Sequence, residues 1–237
     1  MNKFENDFEY YTNLINSNTN FAYARYADGE VQLMRGNSIG HQSQAYMVDK
    51  WTSPAEMTSI GIELLESLNH TEENYHYAIS GKNDSVNDYE FLTQRIKNKN
   101  LTFANLWINS NYQKMKQFYQ TFEKEVYLIC NHKAQPQNFP FKVAEIFPFP
   151  DECISYFTEF GEDYLSQLLE YTSQIHNKTF FISAGPVSEI LIHRMYIANP
   201  NNQYVDMGSS IDEFVHGRIT RPYMTPTSQY ANESSSF

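Results

Sequence analysis

The stretch T-F-F-I-S-A-G-P-V-S-E-I-L-I-H-R-M-Y at 179–196 decides the fold. Its opening run is short, apolar and aromatic, and reads as a buried strand ending at Ser183. Gly185-Pro186 is the turn, 187–196 reads as a helix, and Q-Y-V-D-M-G at 203–208 is one more strand. A buried strand, a short turn, a helix and a second strand make the unit from which parallel sheets are built.

The same alternation extends outward in both directions. Phe4, Phe8, Tyr11, Leu14 and Ile15 stand at helical spacing over 3–17, and F-A-Y-A-R-Y at 21–26 reads as a strand followed by a turn. Beyond the loop around Trp51, 54–67 reads as a helix with Ser53 as N-cap and Pro54 at its first position. Helices are expected again over 86–97, 110–121 and 161–175, and strands at 75–80, 101–107, 126–130 and 143–147. The expectation is an α/β domain over 1–223, its mainly parallel sheet covered by helices on both faces, and a polar C-terminal tail over 224–237.

Composition narrows the function classes. The chain has 237 residues, 41% hydrophobic and 19% charged, enough for one sizeable core. Its net charge of -11 repels phosphate backbones and anionic lipid, so no nucleic-acid partner is expected. No apolar run is long enough to span a membrane, and the start lacks the pattern of a secretory signal, so a cytoplasmic location is expected. Cys130 and Cys153 lack metal-binding spacing and read as buried thiols; the seven histidines form no zinc motif, and no G-x-S-x-G elbow is present.

In an open α/β sheet ligands bind beyond the carboxyl ends of the strands. Four such ends carry polar groups. In Y-A-R-Y-A-D-G-E, 23–30, Asp28 and Glu30 can hold a hard divalent cation through oxygen; the competing reading is a turn, sharpened by Gly29, with Arg25 paired to a carboxylate. A second D-x-E, Asp88-Tyr89-Glu90, falls on a predicted helix and reads as a solvated face. Asn105 follows a strand in N-L-W-I-N-S-N, and the amides around Gly185 can receive a phosphate or ribose. In V-D-M-G-S-S-I-D, 205–212, Asp206 can bind ribose or approach a metal, Gly208 follows it, and Asp212 can act as a general base; capping a turn is the alternative for both acids. His216, Arg218 and Arg221 concentrate basic groups that suit a diphosphate, and Trp107 and Tyr223 can stack on a sugar or base, or be core.

In that order, R-Y-A-D-G-E, N-L-W-I-N-S-N-Y, S-A-G-P and V-D-M-G-S-S-I-D with T-R-P-Y resemble the glycosyltransferases of the GT-D fold, over roughly residues 20–223. The resemblance implies a single Rossmann-like domain, a nucleotide-diphosphate-sugar donor (a UDP-sugar first), a glycan or glycoconjugate acceptor, and Mn²⁺ or Mg²⁺ at the D-x-E pair Asp28 and Glu30. It places Arg25, Gly185, Asp206 and Gly208 at the donor. Asn105 and Arg221 are added to that set from their positions, and Asp212 or His216 would supply the base. Tyr26 and Ala27 depart from the family's usual Phe and Gly. A Rossmann-like methyltransferase or other nucleotide-binding enzyme, and a non-catalytic scaffold in polysaccharide assembly, are the competing readings.

Overall fold

A computed structural model describes residues 2–37 and 54–237. In chain order the elements are α1 (Lys3–Asn16), β1 (Phe21–Tyr26), α2 (Asp28–Met34), α3 (Pro54–Ser67), β2 (Tyr75–Ile79), α4 (Val86–Thr93), β3 (Leu101–Phe103) and α5 (Tyr112–Thr121). They continue with β4 (Val126–Asn131), β5 (Val143–Phe149), α6 (Cys153–Ser173), β6 (Thr179–Ile182), α7 (Ser188–Ala198), β7 (Gln203–Asp206) and α8 (Asp212–His216). All seven strands form one sheet in the order β3-β2-β1-β7-β6-β4-β5, and every pairing is parallel. The domain is α/β, as the alternating pattern requires.

Strand alternation distributes the core between two faces. From β1, Ala22, Ala24 and Tyr26 join residues of α2, α3, α6 and α7 on one side, while Phe21 and Tyr23 join α1 and α5 on the other. Burial on both faces explains why β2, β6 and β7 are buried along their whole length. Among the described residues no helix is long and apolar enough to cross a membrane.

Several local expectations change. The turn expected after β1 is the start of α2: Glu30 is the third residue of that helix, and its Oε2 accepts the Ala27 N–H at 2.8 Å. Gly29 is therefore helical rather than the pivot of a sharp turn. Asp88 is not on a solvated face; it is buried and paired with Arg35 at 3.1 Å. β5 runs on to Phe149 through Pro148, which its place at the sheet edge allows. α6 starts eight residues earlier than its pattern suggested, running through Gly161, where a Cβ would stand 2.9 Å from the Phe157 ring. Trp51 and the expected cap Ser53 lie outside the described residues.

Residues 224–237 are polar but packed down. The Lys82 N–H donates to the Ser236 carbonyl at 2.7 Å, Asn83 Nδ2 donates to the Ser234 carbonyl at 2.8 Å, and the Phe237 ring lies 4.2 Å from that of Phe103.

The sheet order reverses at β1, from which the chain runs outward to β2 and β3, while β7 closes the other side. That reversal opens a crevice beyond the strand ends, where an α/β sheet binds its ligand.

Candidate active site

A cavity of ≈ 320 Å³ occupies that crevice. It gathers nine of the ten residues expected to hold the metal, bind the donor or act as base: Arg25, Asp28 and Glu30 from the end of β1, Asn105 after β3, Gly185 after β6, and Gly208, Asp212, His216 and Arg221 from the segment after β7. They come from separate stretches because parallel strands place all their carboxyl ends on one edge.

Asp206 is the exception, buried beneath the cavity rather than lining it. One carboxylate oxygen accepts Arg25 Nε at 3.0 Å and the other accepts the Gly208 N–H at 2.7 Å. Its carbonyl accepts Trp107 Nε1 at 3.0 Å. Asp206 is thus spent on holding Arg25, and the role expected for it toward ribose or metal does not fit this geometry. Trp107 is core, packed on Tyr23, whereas Tyr223 lines the cavity with its hydroxyl 2.7 Å from Ser209 Oγ.

Two glycines have conformations that other residues resist. Gly208 has φ 49°, and a Cβ there would stand 2.7 Å from Arg25 Nη2, so the guanidinium lies flat against its backbone. Gly185 has φ 58°, and a Cβ would approach Cys153 Sγ to 3.0 Å. Amides of the Gly185 loop are already engaged internally: the Ala184 N–H donates to Ser188 Oγ at 2.8 Å and the Ser188 N–H to the Gly185 carbonyl at 3.0 Å. Pro186 has none to offer, so the loop shapes the cavity more than it supplies donors. Cys153 lines the wall as a thiol that burial pushes up to about 12, which keeps it un-ionised.

The electrostatics are acid-rich. Burial raises Glu30 above the ordinary carboxylate range, against the pull of Arg25 and the Ala27 N–H. Burial likewise raises Asp212 to about 6, although Thr220 Oγ1 donates to it at 3.0 Å. Arg221 Nε stands 4.0 Å from the Asp212 carboxylate.

Under the cavity lies a residue that sequence reasoning missed. Glu189, in the first turn of α7, is fully buried, and its carboxyl is hydrogen-bonded to that of Asp206. Burial, then the charges of Asp206 and Glu30, push its pKa well above the usual range, so it holds its proton. The sequence shows only a Glu near a helix N-terminus, a placement that complements the helix dipole on any solvent-facing helix. Asn131 and Asp151, at the ends of β4 and β5, also line the cavity and were missed, because both strands were read as ending too early.

Hard oxygen ligands for a divalent cation are present in Asp28 and in Glu30, whose Oε2 is already engaged by the Ala27 N–H. Among the described residues no group of three or more His, Cys, Asp or Glu side chains is placed to hold a metal ion alone. The donor set therefore fits an ion that completes its shell with phosphate oxygens and water. The carboxyls of Asp28, Glu30, Asp206 and Asp212 stand with two guanidiniums at the site, and an added cation would ease the approach of a diphosphate.

No family model and no curated protein matches the chain. Solved structures of the domain of unknown function 1792 do match in fold. A selenomethionine-substituted structure of that domain superposes with a TM-score of 0.57 at 12% identity, covering 98% of this chain and 87% of that one. A second, described as having a distinct glycosyltransferase fold, gives 0.54 at 11% identity, covering 98% and 87%. A third, described as a new glycosyltransferase from Streptococcus sanguinis, gives 0.55 at 12% identity, covering 97% and 90%. At these identities the likeness is one of fold, and this chain has the fold of that domain over nearly its whole length.

Proposed function

We propose that the protein is a glycosyltransferase that moves a sugar from a nucleotide-diphosphate donor to a hydroxyl of a glycan or glycoconjugate, with a divalent cation, Mn²⁺ or Mg²⁺, at Asp28 and Glu30. The observation that carries this reading is the convergence of Arg25, Arg221, Asp28 and a carboxyl raised to about 6, Asp212, in one strand-end cavity. The described fold of its structural neighbours supports it.

In this reading Arg25, pinned by Asp206, and Arg221 face the diphosphate. Guanidinium donors aimed at phosphate oxygens stabilise the charge that grows as the bond between the anomeric carbon and the phosphate oxygen breaks. The cation, when bound, neutralises the same leaving group. Asp212 takes the proton of the acceptor hydroxyl as its oxygen bonds to the anomeric carbon, and the nucleoside diphosphate departs. A carboxyl at about 6 is ionised at neutral pH yet more basic than an ordinary aspartate, which suits a general base. His216, the other candidate, lies one helical turn further along α8, and burial lowers its pKa.

The test is a donor screen: whole protein, Mn²⁺ or Mg²⁺, a panel of nucleotide sugars, and release of nucleoside diphosphate with and without chelator. Release of one donor's diphosphate that chelator stops is the expected result. Failure of UDP and GDP, each with metal, to raise the Tm overturns the reading, and stabilisation by S-adenosylmethionine without metal replaces it with a methyltransferase.

A further inference from the structure

The cavity extends from β1 to the far edge of the sheet, well past the groups that the proposed chemistry uses. Three strand spacings separate β1 from β4, about 14 Å at the usual interstrand distance. At that end Asn131, Asp151 and His216 line the wall. Asn131 is held on both sides: its Oδ1 accepts the Lys133 N–H at 3.0 Å and its Nδ2 donates to Asp151. The Asp151 carboxylate also takes a hydrogen bond from Lys133 Nζ. The His132 N–H donates to the Phe149 carbonyl at 2.9 Å, which ties the two strand ends together. This is an ordered polar wall, with the Asp151 side chain still 39% exposed.

The chemistry of the set selects its ligand. Asp151 and Lys133 cancel in charge, Asn131 is neutral, and burial holds His216 toward its neutral form. Arg218, whose charge also reaches His216, is exposed and lies outside the lining. An anion would call for cations without a carboxylate, and a cation for the reverse. A wall of fixed acceptors and donors with no net charge matches hydroxyl groups, each of which both gives and accepts a hydrogen bond. Distance agrees: Asp212 and His216 stand four residues apart on α8, about 6 Å along its axis, so this wall begins one sugar ring beyond the proposed base.

We infer that Asn131 and Asp151 form a binding subsite for the hydroxyls of a sugar ring, at the β4/β5 end of the cavity. The inference rests on the glycosyltransferase reading and deepens it by naming what the remote half of the cavity recognises. The ring belongs either to the donor or to the acceptor, and the two are separable by experiment.

The test compares the whole protein with Asp151→Ala, Asp151→Asn and Asn131→Ala in Mg²⁺. Calorimetry measures UDP and GDP against their hexose and N-acetylhexosamine conjugates, and saturation-transfer NMR measures methyl hexosides on the nucleotide-loaded protein. Nucleoside diphosphate affinity stays within about twofold in the variants, which also shows that they are folded; should Asp151→Ala lose it, the other two carry the comparison. Removing a hydrogen bond to a charged group should cost about tenfold in affinity. That loss falls on the sugar conjugates if the ring is the donor's and on the methyl hexosides if it is the acceptor's. Sugar readouts unchanged in all variants, or absent from wild-type protein that binds UDP or GDP, overturn the subsite. Wild-type protein that binds no nucleoside diphosphate brings down the glycosyltransferase reading, and the subsite with it.

Discussion

Two of the chain's D-x-E triplets, Asp28-Gly29-Glu30 and Asp88-Tyr89-Glu90, open short helices and invite comparison. Each puts an acid at the third helical position, and each has a buried acid next to an arginine. The second is a structural device. Ser85 caps α4 by accepting the Asp88 N–H, Asp88 pairs with Arg35, and the Arg35 guanidinium lies 4.7 Å from the Phe91 ring, so α4 is fastened to the end of α2. The first pair follows the carboxyl end of β1, beside the point where strand order reverses, and both of its acids face the cavity. Identical spacing acquires different chemistry because only one of the two helices starts at a strand end that opens on the crevice.

The sharpest way to break this contrast is Asp28→Asn. We expect loss of about 10³-fold in metal-dependent sugar transfer with a Tm close to wild type, since Asp28 is exposed and its removal opens no void. Equal loss of fold and activity would make the first triplet structural too.

Asp212→Asn should follow, lowering transfer by about 10²-fold or more, the usual contribution of a general base. In the wild type the rate should rise with pH through about 6, where the carboxyl ionises, and level off above it. The stability effect has the opposite sign. A carboxyl raised in the folded state contributes stability that is complete below its unfolded value near 3.8 and is lost as pH rises through about 6. Chemical denaturation should therefore show Asp212→Asn gaining about 1–3 kcal/mol on wild type between pH 4 and pH 8.

Gly208→Ala tests whether Arg25 must lie flat on the backbone. Strain at positive φ and the clash with the guanidinium together should cost about 1–3 kcal/mol, with nucleoside diphosphate affinity reduced as Arg25 shifts. Unchanged affinity would remove Arg25 from the diphosphate site.

On the structural triplet, Asp88→Ala should cost about 1–3 kcal/mol of stability by stranding Arg35, and should leave kcat unchanged below the transition temperature. The smallest effect is expected for Glu189→Gln. The amide resembles the protonated acid, so activity at pH 7 should hold. The folded pKa of Glu189 is raised, so its contribution to stability is present at low pH and fades as pH rises through that value, whereas the variant should not show this decline. A large activity loss in Glu189→Gln would mean that the ionised form is needed.

Much of the fold was legible because burial on both faces leaves short apolar strands between amphipathic helices. Runs such as F-A-Y-A-R-Y and T-F-F-I can bury their side chains in few other ways. The errors have local causes. The strand expected over 143–147 continues through Pro148 to Phe149, which an edge strand tolerates, and its early end concealed Asp151. The helix expected over 161–175 starts at Cys153, and Phe157 in its earlier part packs on Gly161, where a Cβ would stand 2.9 Å from the ring. Residues 224–237 have the composition of a tail, but Phe237 finds Phe103 and Tyr89, a contact no local pattern announces.

The candidate site divides in the same way. From sequence alone came the α/β class, the strand ends at which polar residues matter, and nine residues that line one cavity, because helices between successive strands make the sheet parallel and ligands gather at its carboxyl ends. Tertiary structure alone decided that Asp206 holds Arg25 instead of facing a ligand, that Glu189 is a buried, protonated acid, and that Asn131 and Asp151 complete the far wall. A carboxyl's role depends on its desolvation and on the charges around it, and both are set by residues as far as 181 positions away in the chain, as Arg25 is from Asp206.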